Sequence, residues 1–548
     1  MNIVLCAIDA KFIHTNVALR LLKANCPLPC ELFEFTIKSD EDTIVSTILA
    51  AAPDLVAFSV YIWNVEIVRR VADAIRKRSS AKIVAGGPEV AHDAGRFLAD
   101  CPFDFVVRGE GERAFARLVT ALADGSSFRD IPNLAYWDGS TERINPIEPI
   151  ADLAGIASPY RFTADEKDIP RKIQYLELSR GCPFSCAYCL APLDGAVRFF
   201  PLPRIKDEIL ALQERGARTF KFLDRTFNVR PEVATDLFDF IIRNRRDGVV
   251  FQFEITGDIL PDAIIRHLND VAPPGLFRFE IGIQSTNDAT NRAVARTQDN
   301  ARLFKNIRAL VAGGRVTIHL DLIAGLPEEG LDSFIRTFDD SFALFAPELQ
   351  LGFLKMLRGT PLRRDAARLG YEYDPNPPYQ VTKSAVLSAV DLDRIACVEA
   401  VLEHFWNRGF MPEAMKMMHA CVPSMFFWME SLYAFLLDRG FSFLRHQIFE
   451  MFALIDAFAQ KTIPAGYANV HDALVRDYLE RAEARPKPWW TVREERREQK
   501  SALLQRAHAI DPSIPLDDYF KYGVVAPYAG GYLAAVYRPS GKSMIRFD

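Results

Sequence analysis

Three cysteines in the stretch LSRGCPFSCAYCLAP stand at positions 182, 186 and 189. Thiolates are metal ligands, and their number is informative. A structural zinc site usually pairs two C-x-x-C elements to reach four ligands, and no second element lies near this one. A cubic 4Fe-4S cluster has four irons, so three thiolates hold it and leave one iron open to a further ligand. The other cysteines, at 6, 26, 30, 101, 397 and 421, are scattered and read as small buried hydrophobes. Nine in all, an odd number with one tight cluster, fits a reducing compartment better than a disulfide framework.

The elements that must position these thiols form two alternating series. Residues 1–125 carry short apolar runs, NIVLCAI, CELFEF, DLVAFSVYI, AKIVAGG and FDFVVRG, separated by amphipathic helical patterns. Five such repeats predict a doubly wound, Rossmann-like parallel sheet, with a ligand at the C-terminal ends of its strands. Residues 126–171 read as a linker with one hairpin at AYWDGSTERIN. From 172 to 370 the runs IQYLELS, TFKFLD, FQFEIT, LFRFEIGIQ, VTIHLDLIAG and LQLGFLK predict six βα units, a partial (β/α)6 TIM barrel whose site again lies at the strand C-termini. The cysteine loop follows the first of these strands directly. Glu254 and Glu280 face the barrel interior if alternation holds, and a carboxylate there is costly unless paired or used, so both are candidate catalytic acids or bases.

Residues 371–548 read as a mainly α-helical domain ending in a strand pair, GYLAAVYR and SMIRFD. The run RPKPWWTVREERREQK predicts a solvated loop entering a charged helix face. With 548 residues, three domains of roughly 100 to 200 residues are expected. The net charge of -5 and the dispersed Lys and Arg residues argue against nucleic acid as a partner. No apolar run reaches the length of a membrane span, and the chain opens on MNIVLCAID without a basic segment and signal core, so a cytoplasmic protein is expected.

The C-x3-C-x2-C loop, with Tyr188 before its third cysteine and a barrel strand before its first, resembles that of the radical S-adenosylmethionine (AdoMet) superfamily. The resemblance implies that Cys182, Cys186 and Cys189 hold a 4Fe-4S cluster whose open iron binds AdoMet, and that one electron splits AdoMet to a 5'-deoxyadenosyl radical. It implies AdoMet contacts at Asp224 and Arg225 in FLDRTFNV, Gln284 and Ser285 in FEIGIQSTND, Arg296 in NRAVART, and Ile323 and Gly325 in DLIAGLPEE, with Tyr188 beside the cluster. Asp321 stands where the adenine-cradling motif has a first glycine.

A doubly wound domain before such a barrel resembles the cobalamin-binding class of the superfamily. The matching residues are Ser59, Tyr61 and Trp63 in SVYIWN, Gly86, Gly87 and Pro88 in GGPEV, and Gly109 and Glu110 in VVRGEGE. Gly86 and Gly87 would let backbone approach the nucleotide tail closely. One departure is plain: in place of Asp-x-His-x-x-Gly, Asp9 is followed by Lys11, and His14 is off register, so this motif supplies no cobalt histidine. The stretches LQLGFLKMLRGTPLRRDAARLG, YDPNPPYQV and LEHFWNRGF resemble a C-terminal domain of unassigned function found with this class.

These resemblances imply a cobalamin-dependent radical AdoMet enzyme, a C-methyltransferase or radical cyclase acting on a small metabolite at an unactivated carbon. They also imply an external electron donor of the flavodoxin or ferredoxin type. The Phe- and Met-rich stretch from Met415 to Gln460 admits two readings, a packed helical core or an apolar substrate pocket. The rival functions are a methylthiolating enzyme on RNA or protein, which would carry a further cluster on N-terminal cysteines, and a sensor of corrinoid or AdoMet, which would not need an open iron.

Overall fold

A computed structural model describes residues 1–490 and 497–548. The part of the charged run between Thr491 and Arg496 lies outside the described residues. The chain forms two compact units, residues 1–330 with 352–388, and 331–351 with 389–548.

The first unit contains two sheets. Strands β1 (Ile3–Asp9), β2 (Cys30–Thr36), β3 (Leu55–Ser59), β4 (Lys82–Gly86) and β5 (Phe105–Val107) are parallel, in the order β2-β1-β3-β4-β5. All residues of β1, β3 and β5 are buried because helices cover both faces. Val4, Cys6 and Ile8 enter one core, and Ile3, Leu5 and Ala7 the other. A sheet covered on both faces needs continuous apolar strands, which is why these runs are legible. The hairpin expected in the linker, β6 (Leu134–Asp138) and β7 (Thr141–Ile144), instead extends this sheet antiparallel beyond β5.

The second sheet begins at β8 (Ile173–Leu176). A small antiparallel ladder, β9 (Ser179–Arg180) and β10 (Arg198–Phe199), brackets the cysteine loop. Then come β11 (Thr219–Phe222), β12 (Val250–Ile255), β13 (Phe277–Gln284), β14 (Thr317–Ala324) and β15 (Glu348–Phe353), in the order β15-β14-β13-β12-β11-β8. Burial alternates strictly along β12, β13 and β14. Phe253, Phe277 and Phe279 pack outward in a tilted, stacked and edge-on aromatic layer with Phe238, and Phe251 stacks on Phe220. The opposite face carries Gln252, Glu254, Arg278, Glu280, Thr317, His319 and Asp321, so the concave interior is polar.

Three buried ion-pair groups hold the two sheets together. Arg20 pairs with Glu34 (2.7 Å) and Asp165 (2.9 Å), and Lys172 reaches the same Glu34 (2.9 Å). Arg180 pairs with Glu112 (2.6 Å), Glu177 (2.8 Å) and Glu110 (3.3 Å). Arg358 pairs with Glu89 (2.8 Å) and Asp93 (2.5 Å), with the Tyr379 hydroxyl joining Glu89.

The second unit is mainly helical, with Ala389–Val401 running into a π-helical turn at Leu402–Asn407, and ends in a three-stranded antiparallel sheet. That sheet adds Gly523–Tyr528 to the two expected strands. In the helix Met425–Asp438, Met425, Phe426, Trp428, Met429, Leu432, Phe435 and Leu436 are buried, so the Phe- and Met-rich stripe serves as core. Among the described residues no single helix is long and apolar enough to cross a membrane.

One helix pair in this unit is joined through a histidine–aspartate contact. Asp456 on Ile448–Thr462 holds His471 Nδ1 (2.7 Å) and the Tyr467 hydroxyl (3.0 Å) of Tyr467–Arg481. The Asp456 hydrogen bond raises the His471 pKa above its ordinary 6.5. A raised histidine stabilises the fold fully below the unfolded value, and the gain is lost as pH rises through the folded value. The Tm difference between the protein and its Asp456→Asn variant is therefore expected to be largest near pH 6 and to shrink by pH 8. The pair is worth roughly 1 kcal/mol; a pH-independent difference would contradict this.

Candidate active site at the facing strand ends

The cysteine loop leaves β8 through residues that are themselves anchored. Asp224, at the end of β11, is 1 % exposed and accepts from the Leu178 backbone N–H (2.9 Å) and the Ser179 hydroxyl (2.6 Å). Burial drives its pKa up to about 7. Gly181 follows with φ +92°, and a Cβ there would lie 2.7 Å from the Ala196 carbonyl oxygen, so only glycine lets the loop close on itself. Farther along, Ala187 donates to the Val294 carbonyl (2.8 Å) and accepts from Leu362 N–H (3.0 Å).

The three thiols are near enough that Cys182 and Cys186 both raise the Cys189 pKa, after the larger effect of burial. The Ala191 N–H donates to Cys189 Sγ (3.4 Å), and Arg225 also favours its thiolate. Cys182 Sγ lies 3.8 Å from the Thr226 hydroxyl. Among the described residues no three His, Cys, Asp or Glu side chains converge on one metal ion. Three thiols close together but not convergent fit a cubane, which takes each thiolate at a different iron.

Arg296 ties this loop to the barrel. Its guanidinium donates to the Tyr188 hydroxyl (3.3 Å), the Gly282 carbonyl (2.5 Å) and Gln298 Oε1 (2.9 Å). Ser285, 0 % exposed, donates to Glu329 (2.5 Å) and accepts from Asn287 N–H (3.0 Å). Asp224, Arg296 and Ser285, expected as AdoMet contacts, thus have their polar atoms engaged in holding the loop and strand ends. Gln284 differs. It has φ +65° at a bulge in β13, and its Oε1 is buried with no hydrogen-bond partner. Arg225 is exposed, acts electrostatically on Cys189, Glu254 and Tyr61, and has no ion pair among the described residues. Ile323 is half-buried on the inner face of β14, and Gly325 follows with φ +98°, its carbonyl accepting from the Tyr371 hydroxyl (2.8 Å).

Deeper in the barrel, Lys221 forms an ion pair with Glu280 (2.7 Å). Arg278 donates to His319 Nδ1 (2.5 Å), which leaves Nε2 to donate to Asp321 (3.1 Å). Glu254 sits beside Glu280 in register, and burial raises its pKa above the usual carboxylate value. It has no hydrogen bond or ion pair among the described residues.

The switch point of the first sheet lies between β1 and β3. Asn16 donates to Asp9 (3.0 Å) and Ser59 (3.1 Å), and Asn64 donates to the Ile8 and Ser59 carbonyls (2.9 and 3.0 Å), fixing the two loops there. Tyr61 and Trp63 stack at 4.4 Å, with Trp63 46 % exposed, and Tyr61 lies within electrostatic reach of Glu177 and Arg225. Gly87 (φ +116°) is required locally, because a Cβ would lie 2.4 Å from the Val60 carbonyl oxygen. Gly86 has room for one, in ordinary contact with Val107. Pro88 opens the short helix Pro88–Ala91, and Gly109 turns the chain with φ +63°. Glu110, expected at the corrinoid, pairs with Arg180 and with Arg198 (2.8 Å). His14 is also accounted for. Its Nδ1 lies 2.6 Å from the Tyr175 hydroxyl, and burial lowers its pKa while raising that of the phenol to about 12, so Tyr175 donates to a neutral imidazole.

The stack of half-buried Tyr61 on exposed Trp63 and the loops fixed at the switch point fit a flat macrocycle. Sequence reasoning passed over Arg180, Glu112 and Arg358. An arginine immediately before the Gly-Cys of the loop was the available signal for the first.

Comparison with known proteins agrees with this geometry. Residues 4–119 match the B12 binding domain model, 176–341 the radical SAM superfamily model, and 367–517 a protein of unknown function model (DUF4080). The chain is 28% identical over 303 residues to 2-(S-pantetheinyl)-carbapenam-3-carboxylate methyltransferase of Streptantibioticus cattleyicolor, covering 52% of this chain and 44% of the relative. It is 26% identical to the cobalamin-dependent radical SAM methyltransferase TokK of Streptomyces tokunonensis, with coverage of 52% and 44%. The chain thus spans under half the length of these curated relatives. The structure of the cobalamin-dependent S-adenosylmethionine radical enzyme OxsB with aqua-cobalamin bound shares the fold, with a TM-score of 0.62 at 13% identity over 87% of this chain and 80% of that one. The chain thus carries a B12 binding domain followed by a radical SAM superfamily domain, the domains that take cobalamin and, on a 4Fe-4S cluster, AdoMet.

Proposed function

We propose that the protein is a cobalamin-dependent C-methyltransferase acting on a small or carrier-bound molecule at an unactivated carbon. The observation that carries this reading is that the anchored three-thiol loop and the switch-point loops of the first sheet lie in one unit, with Tyr61 within electrostatic reach of Glu177 and Arg225. When bound, AdoMet at the cluster supplies the hydrogen-abstracting 5'-deoxyadenosyl radical, and cobalamin supplies the methyl group.

This chain's own residues bind and orient. Cys182, Cys186 and Cys189 hold the cluster, and Asp224, Arg296 and Tyr188 keep their loop in place. Arg225, which has no ion pair among the described residues, would suit the AdoMet carboxylate, and the orphaned Gln284 Oε1 would accept from an AdoMet hydroxyl or ammonium. Ser59, Tyr61 and Trp63 line the corrinoid side. Glu254 is the uncommitted carboxylate that orients the substrate or holds a proton, whereas Lys221 already neutralises Glu280. The charged barrel interior favours a polar reacting part over an apolar one. The match of the first domain to a B12 binding model disfavours the methylthiolating alternative.

Anaerobic reconstitution tests the reading. About four irons per chain, bound corrinoid and reductant-dependent 5'-deoxyadenosine are expected; a reconstituted chain that leaves AdoMet intact overturns it. With methyl-labelled AdoMet and a bacterial small-molecule extract, Glu254→Gln is expected to keep basal 5'-deoxyadenosine release. Label incorporation should fall about 100-fold. Equal loss of both would mean that Glu254 supports AdoMet binding instead.

A further inference from the structure

We propose that Cys26 and Cys30 form a reversible dithiol–disulfide pair, a peroxide-sensitive modification site in the turn between the first helix and β2. The pair uses none of the cluster thiols and stands whether or not the function proposed above holds.

Only Pro27, Leu28 and Pro29 separate the two residues. Cys26 caps the C-terminus of the helix Val17–Asn25 in an extended conformation, and Cys30 is the first residue of β2. Cys26, Leu28 and Cys30 pack against the same apolar core, so the turn brings both thiols to one side. The two sulfurs are in hydrogen-bond contact, with Cys30 as donor, and Cys30 Sγ also lies 3.5 Å from the Leu28 carbonyl. Both thiols are free. Cys26, expected as a small buried hydrophobe, is half-buried, whereas Cys30 is 9 % exposed. An accessible thiol in front of a sheltered one suits an attacking and a resolving cysteine.

The charge states favour the same roles. The Cys30 hydrogen bond, helped by the Leu28 N–H and opposed by burial, lowers the Cys26 pKa from 9.0 to about 7. The same contact, with burial, pushes the Cys30 thiol up. Elsewhere outside the cluster loop, burial raises Cys6, Cys101 and Cys397. Cys26 is thus nucleophilic near neutrality, since the thiolate is the reactive form.

The oxidant is hydrogen peroxide. The Cys26 thiolate attacks one oxygen; an S–O bond forms, the O–O bond breaks, and the departing hydroxide takes up a proton to become water. Cys30 then displaces the remaining oxygen from Cys26, forming the S–S bond, and its proton leaves with that oxygen as a second water. Two thiols have given two electrons to the peroxide, and a small dithiol returns them. The bridge would form beside the contacts that fasten the linker to the first helix, where Asn25 Oδ1 accepts from Ala157 N–H (2.9 Å) and the Ala24 carbonyl from Arg161 (2.8 Å).

The test treats the anaerobically reconstituted full chain with hydrogen peroxide, alkylates it with iodoacetamide and maps it by mass spectrometry. Both cysteines fall in one tryptic peptide, Ala24–Lys38. After peroxide this peptide should be lighter by two hydrogens and unalkylated, and dithiothreitol should restore two alkylation sites. In Cys30→Ala, Cys26 should proceed to the sulfinic acid, and its alkylation near pH 7 should slow about tenfold for want of the donor. Cys30→Ser, which keeps a donor, should retain the alkylation rate without the bridge. A peptide that stays doubly alkylated while exposed Cys421 is oxidised overturns the proposal, as does an alkylation rate unchanged in Cys30→Ala. The bridge should form equally in the Cys182→Ala/Cys186→Ala/Cys189→Ala variant; a bridge confined to the unaltered chain would mark exchange with released cluster thiols and also overturn it.

Discussion

Changing Cys182, Cys186 and Cys189 together to alanine is expected to reduce the iron of anaerobically reconstituted protein from about four atoms per chain to background. The fold should be left in place. The loop does not depend on the thiols for its path, since Asp224 holds its entry, Gly181 its turn, and Val294 and Leu362 its far side. Far-ultraviolet circular dichroism should therefore be unchanged while the cluster absorption vanishes. Retention of iron by the triple variant would remove the basis of every functional statement above. Single variants should lose the cluster less completely, because two thiolates still chelate.

The second large effect concerns Arg180. Its side chain is 11 % exposed and faces three carboxylates, Glu110, Glu112 and Glu177. Arg180→Met would leave that negative charge buried with only Arg198 to oppose it, and removing one partner of a buried ion pair typically costs about 3–5 kcal/mol. Much of this is the penalty of stranded charge, so Glu112→Gln in the Arg180→Met background should recover part of the lost stability, measured by denaturant unfolding. Arg180→Lys keeps the charge but not the fork that reaches three acceptors and should fall between. Additive losses in the double variant would show that Arg180 acts through packing alone. Since Arg180 directly precedes Gly181 and Cys182, cluster occupancy should follow stability across this series.

Much of the scaffold could be read from residue order. Strands buried on both faces must be apolar throughout, and the runs around Val56 and Ile83 show it. The thiol loop was legible from spacing and from the strand before it. The hairpin was harder, because every residue of Thr141–Ile144 is exposed and nothing in its pattern announces the sheet edge it joins. The polar residues divide more instructively. Arg225 and Gln284, read as ligand contacts, are the ones whose polar atoms remain uncommitted. Asp224, Ser285, Arg296 and Glu110, chosen on the same grounds, also bond within the frame. Residue type says that a group needs a partner but not which. Glu110 finds Arg180 seventy positions away, and Ser285 finds Glu329 forty-four away.

The ion pairs between the two sheets bear on how this architecture can be taken apart. Cut after residue 125, the leading segment would keep Glu34, Glu89 and Glu112 but lose Lys172, Arg358 and Arg180, and with them much of the counter-charge that lets those carboxylates stay out of water. Excised in this way it should be a poor freestanding vitamin carrier, prone to swelling above the acid range where its acids ionise. The two sheets stand or fall as a pair, and any transplant of the first to another barrel would have to bring along, or rebuild, the basic side chains that receive it.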